Sequence, residues 1–111
     1  MTETTRELVI YETLAGKEPF TEWVKNLRDR RGRAIIHTRL DRLQAGNDGN
    51  LKSLGEGIFE LKIDFGPGYR VYFGLDGKLL VILLCGGDKD TQARDVGKAL
   101  EYWIDYRRRK Q

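Results

Sequence analysis

The residues from Ile58 to Phe73 alternate strictly, and that alternation limits what this chain can become more than any other feature does. Phe59, Leu61, Ile63 and Phe65 fall on odd positions with Glu60, Lys62 and Asp64 between them; beyond Gly66-Pro67-Gly68, Tyr69, Val71 and Phe73 are odd and Arg70 and Tyr72 even. A period of two marks a strand with one face on a core, and two such runs about a Gly-Pro-Gly turn make an antiparallel hairpin. Both apolar sets must share a face, so opposed residues sum to an even number; a slip of one would turn the charges inward. A three-residue loop then pairs Asp64 with Arg70 and Lys62 with Tyr72.

The remaining elements arrange themselves around this hairpin. Leu8 to Tyr11 reads as a short strand, and Pro19 opens a helix in which Phe20, Trp23, Val24 and Leu27 recur at helical spacing. Asp29 caps a second helix with Ile35, Ile36, Leu40 and Leu43 inward, and Gly46 ends it. GNDGN at 46–50 is loop chemistry, and LKSLGEG leads into the hairpin. Asp76-Gly77 turns the chain into KLLVILLCGG, whose unbroken apolar run suits a central strand covered on both faces. A last helix starts near Asp90 or Thr91, with Ala93, Val96, Gly97, Leu100, Trp103 and Ile104 as its inner stripe; Gly97 there implies close packing against a neighbour. Trp23 and Trp103 read as core anchors. The order is that of an α+β domain: a short N-terminal strand, a helical hairpin, a three-stranded antiparallel meander and a C-terminal helix, with the helices packed on one face of a small twisted sheet.

At 111 residues the chain has room for one core and one domain. With 40% hydrophobic and 33% charged residues it has an ordinary soluble composition. The longest apolar run, Leu79 to Cys85, is far short of a membrane span, and MTETTRELVIYE has no leader-like character, so a cytoplasmic location is expected. One cysteine, Cys85, and one histidine, His37, provide neither an internal disulfide nor a zinc cluster, and no metal or cofactor is expected. The net charge is +3, and the positive charge is grouped: residues 28–43 hold six arginines, and the chain closes on Arg107, Arg108, Arg109 and Lys110. Such groups describe either solvated helix faces or a nucleic-acid footprint.

The even-numbered side of the hairpin presents Glu60, Lys62, Asp64, Arg70 and Tyr72. An arginine on a rigid strand, its fork held by a carboxylate, is suited to grip a phosphate in a bidentate way. Gly86 to Gln92 delivers Lys89 just before a helix N-terminus, which also favours an anion. The same residues equally describe a cross-strand ion pair worth about 0.2–1 kcal/mol and a turn with its cap. His37, on a helix among arginines, reads as a surface side chain.

The succession of Trp23 on a helix, LxRLxxGNxG at 40–49, LGEGIFELKIDFGPGYRVYF at 54–73, LLCGGDKDTQ at 83–92 and AxEYWxDY at 99–106 resembles the RelE/ParE toxin superfamily, and within it the HigB-type "addiction module killer protein" branch, related to phage-encoded proteins. The resemblance implies the toxin of a type II toxin-antitoxin pair. In many members this is a ribosome-dependent, metal-independent endoribonuclease that cuts mRNA in the A site, with the 2′-OH of the RNA as nucleophile. Its three needs are a group to take the 2′-OH proton, cations for the charge on the phosphorane, and a proton for the leaving 5′-oxygen. Carried onto this chain, Arg70 would stabilise phosphate charge, Lys89 would be a second cation or acid, Glu60 a base, and Lys62 a phosphate ligand or alternative base. Arg94, with Arg30, Arg31, Arg33, Arg39, Arg107 and Arg108, would hold RNA and the ribosome through phosphate contacts. The segment DKDTQARDV lacks the histidine or tyrosine that many relatives carry there.

Two rival readings share the fold: a ParE-type gyrase poison, which needs no ribonuclease residues, and a non-catalytic phage-derived binding module. The partners implied by the resemblance are a cognate antitoxin with a helix-turn-helix domain, the ribosome and mRNA, and no membrane.

Overall fold

The computed structural model describes residues 5–110. Its elements are β1 (Glu7–Ile10), α1 (Pro19–Asn26), α2 (Arg30–Gln44), β2 (Leu51–Gly55), β3 (Ile58–Ile63), β4 (Tyr69–Asp76), β5 (Leu80–Asp88), a 3-10 turn (Lys89–Thr91) and α3 (Gln92–Lys110). The strands form one sheet in the order β1-β5-β4-β3-β2, with β1 parallel to β5 and the other neighbours antiparallel. The α+β class read from the sequence is the class observed. LKSLG, read as a lead-in, is a fourth meander strand, joined to β3 through a Glu56-Gly57 turn in which Glu56 takes a left-handed φ of 58°.

Both runs of the hairpin keep odd residues on one face, but the register differs from the expected one by two. Ile63 faces Tyr69, Lys62 faces Arg70, and Glu60 faces Tyr72. The loop therefore holds five residues, and Asp64 lies in it instead of opposite Arg70. Phe65 N–H donates to Ile63 O at 2.9 Å, and Gly68 N–H to Phe65 O at 3.0 Å. These tight turns need the left-handed glycines Gly66 and Gly68. They also let Phe65 leave the strand, pack against the core and carry the Arg31 guanidinium 5.7 Å above its ring.

The helices do not share one face. α1 and α2 cover the front, where Phe20, Val24, Ile36, Leu40 and Leu43 meet the odd-numbered Leu61, Ile63, Val71 and Phe73. α3 covers the back, where Ala99 and Trp103 meet Ile58, Tyr72, Ile82 and Leu84. The reason lies in β5: its continuous apolar run gives the sheet a second apolar face, and a sheet with two such faces needs two covering layers. Each layer is seated on a glycine. A Cβ on Gly86 would lie 2.2 Å from the Trp23 ring, and one on Gly74 would lie 2.3 Å from the Trp103 ring. Trp103 also donates from Nε1 to Glu56 O at 2.7 Å, which ties α3 to the β2–β3 turn.

α3 is rotated from the expected setting. Asp95, Ala99 and Trp103 are buried, whereas Ala93, Gly97, Leu100 and Ile104 are exposed. Tyrosines are responsible: Tyr106 O–H donates to Asp76 at 2.8 Å and the Tyr102 ring packs tilted against Tyr11, 5.1 Å between centres, so amphipathic rings, absent from an aliphatic count, define the inner face. Gly97 meets nothing within 4 Å of a built Cβ.

Three tyrosine-aspartate bonds lock the layers together: Tyr69 to Asp29 (2.8 Å), Tyr106 to Asp76 (2.8 Å) and Tyr11 to Asp105 (2.5 Å). Burial, then the aspartate partner, raises each phenol to about 12. The aspartates are held below their ordinary value, Asp29 by the Gly32 N–H, Asp76 by Lys110 and Asp105 by Tyr11.

In dilute solution Gly97→Ala should raise stability by about 1 kcal/mol in urea melts, because an exposed interior glycine only weakens a helix. Gly74→Ala should lower it, because the Trp103 ring occupies the space of the added methyl. Stability contributed by the lowered aspartates is present above 3.8 and lost as pH falls through their folded values. That contributed by the raised tyrosines is present below 10.0 and lost as pH rises towards 12. Tyr106→Phe should therefore cost about 1 kcal/mol near neutral pH and reduce the alkaline loss in a pH series of thermal melts.

Candidate functional site

The back of the sheet carries two adjacent rows of residues at the end where β3 and β4 meet. One row is Lys62, Arg70 and Gly87; the other is Glu60, Tyr72 and Cys85. A bulge at Tyr72/Phe73 brings Cys85 and Gly87 into these rows, because it adds Leu84 to β5. The 3-10 turn and the first turn of α3 fold over the rows. Gly87 is required there: a Cβ would fall 1.8 Å from Asp95 Oδ2.

The rows were expected on an open face, and the structure corrects this. Glu60 is 3% exposed and Arg70 5%, because α3 covers this side of the sheet. Arg70 Nη1 donates to Gly68 O at 2.7 Å and to Tyr69 O at 3.3 Å, while Nε stands 3.9 Å from Glu60 Oε1 with no hydrogen-bond partner among the described residues. Glu60 Oε2 accepts instead from Gln92 Nε2 at 2.6 Å. Tyr72 O–H is buried without a partner among the described residues, and burial together with the Glu60 and Asp95 charges raises its pKa. Asp95 Oδ2 accepts from Thr91 Oγ1 at 2.5 Å. Burial, then the Asp95 charge, pushes the Cys85 thiol up to about 12, so it is no nucleophile at neutral pH. The group is a polar knot between sheet and helix in which two donors remain unspent.

Lys89, Lys62 and Arg94 form its exposed rim. Gly68 packs between Arg70 and Lys89: a built Cβ would sit 3.1 Å from Arg70 Nη1 and 3.4 Å from Lys89 Cβ. Lys62 is 4.0 Å from Asp64, and Arg94 is 3.5 Å from Asp95. Two arginines of α2 extend the rim from the front, Arg31 over Phe65 and Arg39 donating to Lys62 O at 3.3 Å. Arg30 is exposed on the first turn of α2, beside Asp29 and its Tyr69 partner. The other cations stand apart. Arg33 donates to Leu27 O. Arg107 lies 5.9 Å from the Trp103 ring, and Arg108 follows it, about 20 Å along α3 from Arg94.

The helix N-terminus does not offer the free anion site expected of it. The Asp88 carboxylate accepts from the N–H groups of Asp90 (2.9 Å) and Thr91 (3.2 Å), and Thr91 Oγ1 accepts from Asp88 N–H at 3.2 Å, which is a capping box. Gln92, Tyr72 and Asp95 were not singled out as site residues from sequence. Thr91 and Asp95 are one helical turn apart, a spacing that could have paired them; nothing local joins Gln92 to Glu60, 32 positions away.

A cleft of about 770 Å³ lies at the other end of α3 beside Asp76, Trp103, Tyr106 and Lys110; Arg107 lines it, but no residue of the knot or its rim does. Its Asp76 is already satisfied by Tyr106 and by Lys110 at 2.6 Å. Among the described residues no helix is long and apolar enough to cross a membrane.

A small α+β domain with a cationic rim about a buried arginine-carboxylate pair is the class that fold and site define. The chain belongs to the phage-derived protein Gp49-like family (DUF891), whose model matches residues 22–100. That family is RelE-like and associated with toxin-antitoxin systems. The chain is also similar to an uncharacterized protein of Haemophilus influenzae, with 52% identity over 80 residues, which is 72% of this chain and 81% of that protein.

Asp88→Ala should cost about 1 kcal/mol by removing the cap of the turn that covers the knot, and Asp88→Asn should recover most of it, read by chemical denaturation.

Proposed function

We propose that this protein is the toxin of a type II toxin-antitoxin pair, of the HigB-like branch, and that it cleaves mRNA on the ribosome without a metal ion. The observation that carries the reading is the convergence of Arg70, Lys89, Lys62 and Arg94 on one end of the sheet, with Glu60 among them. A scissile phosphate at that rim would meet several cations for the charge that grows on its oxygens. Glu60 would be the base for the 2′-OH and Lys89 the acid for the leaving oxygen.

The closed state of the knot gives this reading a specific form. Arg70 and Glu60 are covered by the turn that carries Lys89 and Gln92, and Gln92 occupies one Glu60 oxygen. The free protein would therefore be a poor nuclease. Docking on ribosomal RNA through Arg30, Arg31 and Arg39 would be coupled to displacement of that turn, which exposes the unspent Arg70 donor to the phosphate. A cognate antitoxin would silence the protein by covering this rim. The same burial favours the gyrase-poison reading as runner-up, because such a protein needs neither group to be accessible.

Primer extension on a defined mRNA in a reconstituted translation mix tests the proposal. Wild-type protein should give cuts only when ribosomes are present, and Lys89→Ala, at an exposed position, should reduce them at least tenfold. Arg70→Ala should abolish them, with circular dichroism checking its fold, since removing a buried partner of Glu60 also destabilises. Intact mRNA in cells whose growth nevertheless stops would replace the nuclease by the gyrase-type reading.

A further inference from the structure

Among the described residues the outer face of α3 has no partner. Leu100 and Ile104 are 40% and 46% exposed, and Ala93 and Gly97 continue the same stripe. At about 100° per residue the four project within an arc of about 60°, on the far side of the helix from the buried Ala99. Gly97 is an interior helix glycine where an added Cβ would meet nothing within 4 Å, so no packing contact among the described residues requires it.

The order of sizes along the stripe points to its occupant. The small residues stand in the N-terminal half and the large ones in the C-terminal half. When α3 is laid antiparallel on another α3 about a two-fold axis between Lys98 and Ala99, Leu100 faces the Gly97 of the second helix and Ile104 faces its Ala93. Large side chains meet small ones throughout the seam, as knobs in holes. The charges on one flank follow the same rule. In an antiparallel pair like flanks face each other, so Glu101 meets the second copy's Arg94, opposite in sign, and the two-fold axis repeats the contact. A parallel pair would set Leu100 against Leu100 and Gly97 against Gly97, large on large and small on small.

We infer that α3 is a self-complementary interface and that the protein forms a two-fold antiparallel dimer through Ala93, Gly97, Leu100 and Ile104. One helix pair with two large apolar residues on each side buries less than the roughly 1,600 Å² of a standard interface, so the dimer is weak and depends on concentration. It leaves the front of the sheet, with α1 and α2, free.

Sedimentation equilibrium on the full chain between about 1 µM and 1 mM tests this. The mean mass should rise towards twice 12.8 kDa. Leu100→Glu and Ile104→Glu, at exposed positions, should each raise the dissociation constant at least tenfold. Gly97→Leu should do the same while raising the melting temperature of the monomer, because it improves the helix and fills the hole. Arg94→Glu should weaken the pair, and the double exchange Arg94→Glu with Glu101→Arg should restore it, which only the antiparallel arrangement allows. A mass of one chain throughout the range would overturn the inference. So would a dimer indifferent to Leu100→Glu and Ile104→Glu, which would place the contact elsewhere, and a double exchange that fails to restore it would overturn the antiparallel arrangement.

Discussion

Two contacts between a tryptophan ring and a bare backbone hold the layers of this protein at their separations. Trp23 lies on Gly86 from the front and Trp103 lies on Gly74 from the back, each at a distance no side chain larger than hydrogen could share. Close approach of helix and sheet excludes water from both interfaces of a domain that has little core to spare. It also determines where the polar knot sits. With Trp103 seated on β4, the N-terminal turn of α3 arrives over Arg70 and Glu60, and Gly87 gives Asp95 its place against β5.

A buried arginine-carboxylate pair at 3.9 Å with one guanidinium donor unspent is poor evidence for stability. Removing both charges from water costs more than so loose a pairing returns, and apolar residues of similar volume would pack as well. Tyr72, fully buried with an unpaired hydroxyl, adds to that cost. Unsatisfied groups gathered at one place, beside exposed Lys62, Lys89 and Arg94, describe strain held at a site rather than spread over a core.

Much of this was legible in the sequence. Alternation placed the odd-numbered core of β3 and β4, Asp29 announced the start of α2, and the unbroken run from Leu79 to Cys85 identified a central strand. What was not legible had a physical cause in each case. The two-residue register difference arose in the loop, where Phe65 trades strand pairing for burial under Arg31. The rotation of α3 arose because Tyr102 and Tyr106 bury rings while keeping polar tips, and a count of aliphatic positions does not register them. That Arg70, Lys62 and Lys89 come together at one end of the sheet was legible, since they are local features of β4, β3 and the following turn. The burial of Arg70 was hidden, because it depends on where a helix twenty or more positions away comes to rest.

The parallel pairing of β1 with β5 bears on how the molecule assembles. The meander from β2 to β5 joins near neighbours through short turns, whereas β1 must wait for a strand some seventy positions later, about as non-local as a chain of this length permits. Its lock, Tyr11 to Asp105, spans 94 positions. Loop closure of that size slows folding and comes after the local contacts have formed. The meander is then the early part of the pathway, and the addition of β1 the late part. Through Tyr11 and Asp105 this late strand is tied to α3, the same helix whose first turn closes the knot around Glu60 and Arg70, so the far end of the chain bears on the setting of its charged chemistry.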